Sequence, residues 1–331
     1  MPKEFLNLRD DSLGQERMNI LVTGGKGFVG AAMIRKLVNK GHQVICLDRK
    51  TTPGRLGDVA DRVTMLGGGV PGLEGVVKII QDHHIKRIAQ MVFFMSAPGK
   101  AGQIQTEVSS MVMDTTNVFE AARLAGIKRV LFPSSIHYYG PQWLHGETYL
   151  DEESPGLAET IYGIGKKMNE TVARKYNTRA GMEIISMRIP AVYGPGARIG
   201  ARGVNIAAVE CAQGKPAIFP YPAEEKVCAA HIEDVADALV TGLLTKNLWY
   251  DVYNIGGHII SYSELASIIK EFLPDAHILY NESGGKSDLA YLIDYSRIKE
   301  EFGFEHRDLK EGCLELINTT RRETGLPEIR G

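Results

Sequence analysis

The chain has only four cysteines, Cys46, Cys211, Cys228 and Cys313, set far apart with no CxxC pair and no Cys/His ligand spacing. Neither a disulfide framework nor a structural zinc site is therefore expected, and a reducing, cytoplasmic compartment is the natural reading. Long hydrophobic runs are also missing. The longest apolar stretch, Ile88 to Ala97, is interrupted by Gln90 and is too short to cross a bilayer. The amino terminus is charged from its third residue, so neither a secretory signal nor a membrane helix is expected. No sign of charge dominates: 38 Lys and Arg stand against 40 Asp and Glu, a formal net charge of -2. That gives no footprint for a polyanion, so nucleic acid is not expected as a partner. What is present is an ordinary composition, 331 residues with 44% hydrophobic and 24% charged, enough for about two domains with a full core.

From Met18 onward, short β-branched runs alternate with amphipathic stretches. MNILVTG, a helical pattern from Phe28 to Asn39 and QVICLD read together as a βαβ unit. RVTML, AQMVFFMSA, KRVLFPSS, MEIISMRI and DVYNIGG are further strand-like runs, each separated by enough chain for a helical crossover. The fold class is α/β, a doubly wound parallel Rossmann sheet. Thr106 to Leu124 and Thr160 to Tyr176 read as two amphipathic helices on one face. After MRIPAVYGPGAR the rhythm loosens, and the last sixty or so residues are mainly helical in pattern. The expected division is a polar extension over residues 1–17, a dinucleotide-binding domain over 18–190 with 228–257 returning to it, and a smaller substrate-binding lobe from 191–227 and 258–331.

Two constellations carry chemistry. In Thr23-Gly24-Gly25-Lys26-Gly27-Phe28-Val29-Gly30, small residues let backbone N–H groups approach a pyrophosphate at the positive end of the following helix. Asp48 ends the next strand, 24 positions beyond Gly24, where a carboxylate can accept hydrogen bonds from ribose hydroxyls and repel a 2′-phosphate. NAD is the expected cofactor, with NADP left open because Lys26, Arg49 and Lys50 lie close by. The second constellation is Tyr162-Gly163-Ile164-Gly165-Lys166, which puts a phenol and an ammonium on one helical face. The adjacent ammonium and a positive nicotinamide would both favour the phenolate, making Tyr162 a general base. The serine pair Ser134 and Ser135 ends the strand KRVLFPSS, where a hydroxyl can steady a substrate oxygen.

TGGKGFVG, FPSSIHYYG, YGIGK, MRIPAVYGPG, AAHIEDVADAL and YNIGG follow one another in an order that resembles the extended short-chain dehydrogenase/reductases of the NAD-dependent epimerase/dehydratase family, from Met18 to the end. The resemblance implies Ser135, Tyr162 and Lys166 as catalytic residues, with hydride passing between a substrate carbon and the nicotinamide ring while Tyr162 exchanges the hydroxyl proton. It implies a cofactor site formed by Gly24, Gly27, Phe28, Val29, Gly30, Asp48, Arg49, Ser96, Tyr162, Lys166 and Pro190. Substrate contacts fall on Ser135, His137 and Ala191. It also implies a homodimer through a four-helix bundle of the two helices named above.

Departures from the family matter as much. Ile136-His137-Tyr138 replaces the Asp-Glu pair of the dehydratases, so dehydration is not expected. Ala191 stands where sugar-nucleotide epimerases carry Asn, and Lys226 is the only cation near the segment where they carry a diphosphate-gripping Arg. Gly67-Gly68-Gly69 and Asp114 replace residues that relatives use near the cofactor. The expected activity is therefore oxidation of a secondary alcohol, or reduction of the matching ketone, on a small polar sugar, sugar acid or hydroxy acid. Two rivals are a sugar-nucleotide epimerase that retains its NAD, and a non-catalytic NAD-sensing protein, against which the intact Ser135, Tyr162 and Lys166 argue. His83-His84 reads as a helix end and His231 as structural; no metal site is expected.

Overall fold

The computed structural model describes residues 16–92, 104–197 and 203–330. The apolar runs form β1 (Asn19–Thr23), β2 (Gln43–Asp48), β3 (Val63–Gly67), β4 (Arg87–Gln90), β5 (Arg129–Ser135) and β6 (Glu183–Ile189). Between them lie α1 (Phe28–Asn39), α2 (Gly72–Asp82), α3 (Ile104–Val108), α4 (Thr115–Leu124) and α5 (Ile161–Ala180). The rest of the chain adds β7 (Ala191–Tyr193), α6 (Val204–Ala212), β8 (Ala217–Phe219), β9 (Lys226–His231), α7 (Ile232–Leu244), β10 (Val252–Asn254), β11 (His258–Ser261), α8 (Tyr262–Phe272), β12 (Ile278–Tyr280), α9 (Ser296–Phe302) and α10 (Leu309–Glu323).

Seven strands in the order β3-β2-β1-β4-β5-β6-β10 make one parallel sheet, as the βαβ rhythm predicts. A parallel sheet must be covered on both faces, and β5 is buried along its whole length. On one face Met33, Ile34 and Leu37 of α1 pack with Leu239 and Leu243 of α7 against Ile20, Val22 and Val44. On the other, Val118 and Phe119 of α4 join Ala173 of α5 over Leu21, Ile45 and Phe132. Each of the Val, Leu, Ile, Phe and Met side chains contributes about 1.5–3 kcal/mol when fully buried.

A separate core holds the second lobe, where Phe219, Tyr262, Leu265 and Leu316 pack between α6, α8, α10 and a two-stranded sheet of β8 and β12. Between the two cores, Ala230 of β9 packs in the main one and Val227 and Ala229 in the second. β9 pairs in parallel with β7 and antiparallel with β11 in a three-stranded sheet. The chain returns to the central sheet only with α7 and β10, and α9 follows it there, placing Ile298 in the main core.

The helix expected over Thr106 to Leu124 is also not regular: a π-helical turn, Ser109–Asp114, interrupts it. The Met111 carbonyl there accepts from Thr115 Oγ1 at 2.8 Å and from Asn169 Nδ2 of α5 at 2.9 Å, so side chains occupy an acceptor of the ordinary ladder. The strand expected over Ala89 to Ala97 ends at Gln90, and residues 93–103 lie outside the described residues. So do residues 1–15 of the expected extension. Arg17 donates from Nη2 to Gln43 Oε1 at 2.9 Å.

Candidate active site

The strand order reverses between β1 and β4, and a cleft of about 860 Å³ opens beyond the carboxyl ends of the strands there. Gly24 leaves β1 at φ +61°, its N–H donating to the Leu47 carbonyl at 2.8 Å. A Cβ at this position would lie 2.9 Å from Val92 Cγ2. At Gly30 a Cβ would come within 2.8 Å of the Gly24 carbonyl oxygen and 3.0 Å of Gly25 Cα, so only glycine lets α1 start this close to the loop. Gly24, Gly27, Phe28, Val29 and Gly30 all line the cleft. The cradle and the start of α1 fit a pyrophosphate.

Asp48 and Arg49 line the same wall. One Asp48 oxygen accepts from the Lys26 backbone N–H at 3.1 Å, and Lys26 Nζ lies 3.9 Å from the other. Lys26 Nζ also donates to the carbonyls of Thr52, at 2.9 Å, and Lys50. The lysine beside the expected ribose site is thus engaged by the chain's own oxygens. Gly68 and Gly69 line the cleft, and the Gly68 N–H donates to the Asp48 carbonyl at 2.9 Å. Asp114, at the end of the π-helical turn, also faces the cleft, and burial pushes its carboxyl up against the opposing Ser110 hydrogen bond. Ser96 lies outside the described residues.

Thr160 caps α5, its Oγ1 accepting from the Gly163 N–H at 3.1 Å. The first turns of the helix then bring Tyr162 and Lys166 into the cleft beside Ser135. Tyr162 is half-buried and hydrogen-bonds Ser135; burial outweighs that bond and pushes the phenol up to about 12. Lys166 is only 2% exposed and donates from Nζ to the Pro133 carbonyl at 2.6 Å, 4.7 Å from the Phe132 ring centre and 5.3 Å from that of Tyr162. Burial pulls its ammonium down to about 7, with the Glu170 carboxylate opposing. Removal from water favours the neutral form of each, and the chain's own charges do not reverse it.

The serine pair separates by role. Ser135 meets Tyr162, and its Oγ accepts the His137 N–H at 3.3 Å, whereas Ser134 Oγ donates to Glu170 Oε1 beneath the site. The His137 ring stands perpendicular to that of Tyr162, centroids 5.0 Å apart, and it lines the cleft together with Pro190 and Ala191. Asn205 also lines this end, but its side chain already bridges the Gly194 N–H at 3.1 Å and the Val192 carbonyl at 3.0 Å. Lys226 does not line the cleft; it is exposed, with Nζ 5.9 Å from the Tyr291 ring centre. His231 caps α7, and His83 ends α2. Among the described residues no group of three or more His, Cys, Asp or Glu can hold a metal, and no helix is long and apolar enough to cross a membrane.

Sequence reasoning missed why YGIGK needs its glycines. A Cβ at Gly163 would lie 2.4 Å from the His137 carbonyl oxygen, and one at Gly165 would lie 2.0 Å from Met111 Sδ. Glycines inside a helical pattern were the available signal for such close approach. Gly163→Ala is expected to lower stability by about 1–3 kcal/mol, because backbone must move. A urea midpoint equal to that of the parent would show that α5 tolerates the displacement.

The model of the NAD dependent epimerase/dehydratase family matches residues 20–256. UDP-glucuronic acid decarboxylase 1 of Arabidopsis thaliana is 27% identical over 321 residues, covering 93% of this chain and 71% of that protein. UDP-glucose 4-epimerase of Thermotoga maritima, solved with UDP-glucose, superposes with a TM-score of 0.81 at 23% identity, covering 93% of this chain and all of that one (100%). L-threonine 3-dehydrogenase of Trypanosoma brucei gives 0.84 at 20% identity, with 95% and 100% covered. At these identities the solved structures are alike in fold.

Proposed function

Because the chain belongs to the NAD dependent epimerase/dehydratase family, we propose that this NAD-dependent enzyme oxidises a secondary alcohol, or reduces the matching ketone, on a small polar substrate such as a sugar, sugar acid or hydroxy acid. The observation that carries the reading is the meeting of Ser135, Tyr162 and Lys166 in one cleft with the glycine loop, whose substrate end offers no diphosphate grip among the described residues. Ala191 supplies only a methyl there, and Asn205 is held by backbone. A buried diphosphate without partners would be costly.

The glycine loop would hold the pyrophosphate, Asp48 the adenosine ribose, and Lys166 the nicotinamide ribose. Bound NAD supplies the hydride acceptor and a positive ring. Tyr162 Oη takes the proton of the substrate hydroxyl, or returns it in the reverse direction, and Ser135 Oγ hydrogen-bonds the same oxygen. His137 lies beside this pair as a further substrate contact. Arg198 and Arg202 lie outside the described residues, so the test includes a nucleotide sugar. Purified protein is offered sugars, sugar acids, hydroxy acids and UDP-glucose with each oxidised cofactor, and the reduced-nicotinamide absorbance is followed. Steady reduction of free NAD by a small alcohol is the expected result. Tightly retained NAD, no net reduction and interconversion of UDP-glucose would instead establish the epimerase.

Asp48 sets the preference for NAD over NADP in this reading. Asp48→Ala is expected to narrow the ratio of kcat/KM for the two cofactors at least about tenfold, since a carboxylate that repels a 2′-phosphate is gone while Arg49 and Lys26 remain. An unchanged ratio would place the discrimination elsewhere.

A homodimer is part of the proposal. Ile104, Val108 and Met113 on one helical segment and Ile161, Ile164 and Met168 on α5 are all at least 38% exposed, an apolar stripe that a second copy would cover. Sedimentation should give a dimer for the parent chain and a monomer for Ile164→Glu.

A further inference from the structure

Beneath the cleft lies a polar network whose members are almost fully withdrawn from water. Arg188 is 0% exposed, Ser134 2% and Glu170 4%. Arg188 donates from Nε to Glu170 Oε1 at 3.0 Å and from Nη2 to Oε2 at 2.7 Å, a two-pronged pair, while Ser134 Oγ donates to the same Oε1. Its remaining nitrogen, Nη1, donates to Tyr139 Oη at 2.7 Å and the Glu152 carbonyl at 3.2 Å. The guanidinium also lies 3.6 Å from the Tyr138 ring centre. Tyr139 Oη in turn lies 2.8 Å from Asn254 Oδ1 of β10.

The placement of these groups is what matters. Ser134 precedes Ser135 on β5, Tyr138 and Tyr139 follow His137, and Arg188 precedes Pro190 and Ala191 by two and three residues. Glu170 stands one helical turn beyond Lys166 on α5. Segments of β5, β6 and α5 that line the cleft are therefore joined to one ion pair. A buried pair is a weak way to gain stability over well-packed apolar residues, so its geometry has to be explained by something else.

We propose that the Glu170–Arg188 pair is a positioning unit that fixes Ser135, His137 and Lys166 relative to one another, holding the Glu170 carboxylate one helical turn from Lys166. The proposal rests on the reading above, in which Lys166 acts in turnover. Among the described residues, the groups named near Lys166 lie on α5, β5 and the π-helical turn. On α5 they are Tyr162 and Glu170; from β5 come the Pro133 carbonyl, the Phe132 ring and Ser135; Asp114 of the π-helical turn lines the same cleft. Arg188 of β6 faces Glu170 and is matched by it. Glu170 is the charge that opposes the loss of the Lys166 proton. Removing that carboxylate should lower the pH at which Lys166 deprotonates, and the alkaline limb of activity should move down with it.

The test titrates Lys166 directly, in full-length protein carrying lysine labelled with carbon-13 at Cε. Its resonance is assigned by its disappearance in Lys166→Met. Glu170→Gln removes the charge but leaves Arg188 buried alone, so the double variant Glu170→Gln with Arg188→Met is the folded control that lacks both charges. Glu170→Asp keeps the charge. The expected result is a Lys166 midpoint about one pH unit lower in the Gln variants, near the parent value in Glu170→Asp, with NAD saturating or absent. Turnover of the fastest alcohol from the panel should fall about tenfold at pH 8 in the Gln variants, with the alkaline limb displaced by the same amount. A purely structural pair would alter thermal stability and leave the midpoint and the limb in place, and that outcome overturns the proposal. Full turnover by Lys166→Met would overturn the catalytic reading instead, whatever the titration shows.

Discussion

Tyr162→Phe is expected to lower kcat by about 10²–10⁴-fold while leaving the affinity for NAD within a few fold of the parent. The substitution removes one oxygen. The ring that remains still packs at right angles to His137, 5.0 Å between centroids, and 5.3 Å from Lys166 Nζ, so the wall of the cleft keeps its shape. The lost hydroxyl leaves Ser135 with other partners, the His137 N–H at 3.3 Å and the Ile189 carbonyl at 3.5 Å, and stability should change by only about 1 kcal/mol. What disappears is the group that exchanges the substrate proton. Calorimetry with NAD and a turnover assay separate the two effects. Parental turnover in this variant would remove Tyr162 from the chemistry, and a large loss of NAD affinity would make it a binding residue.

Arg188→Met is expected to cost about 3–5 kcal/mol of folding stability, read as a lower urea midpoint with little change in slope. The size follows from the burial of its partner. Glu170 is 4% exposed, and without the guanidinium its carboxylate keeps one donor, Ser134 Oγ, in place of three. The same substitution made together with Glu170→Gln should recover much of the loss, because no unpaired charge stays buried. Equal destabilisation in the single and double variants would mean that the guanidinium acts through its stacking on Tyr138, 3.6 Å from the ring centre, and not through its charge.

The parts of this protein that were legible early are those fixed by near neighbours. Phe28–Asn39 formed as the helix its pattern predicted, Thr160 capped the helix that carries Tyr162, and the glycine loop lies at the strand reversal. Gly163 and Gly165 were visible as glycines, but nothing local said that His137 and Met111 would be pressed against them. The segment around Ser109–Asp114 had the right apolar spacing for one continuous helix. The carbonyl of Met111 in its π-helical turn accepts from Asn169, which is 58 residues away in the chain.

The sequence by itself determined the alternation of strand and helix, the cradle at Gly24 to Gly30 and the four-residue spacing of Tyr162 and Lys166, because backbone preference and side-chain periodicity act over a turn or a strand. Only the tertiary structure decided that Ser134 bonds Glu170, that Lys26 turns onto Asp48, that Glu170 and Arg188 pair beneath the site, and that burial pushes Tyr162 and Lys166 toward their neutral forms. Burial and pairing depend on segments far apart in the chain coming together, and the energy of a charge depends on what has displaced the water around it.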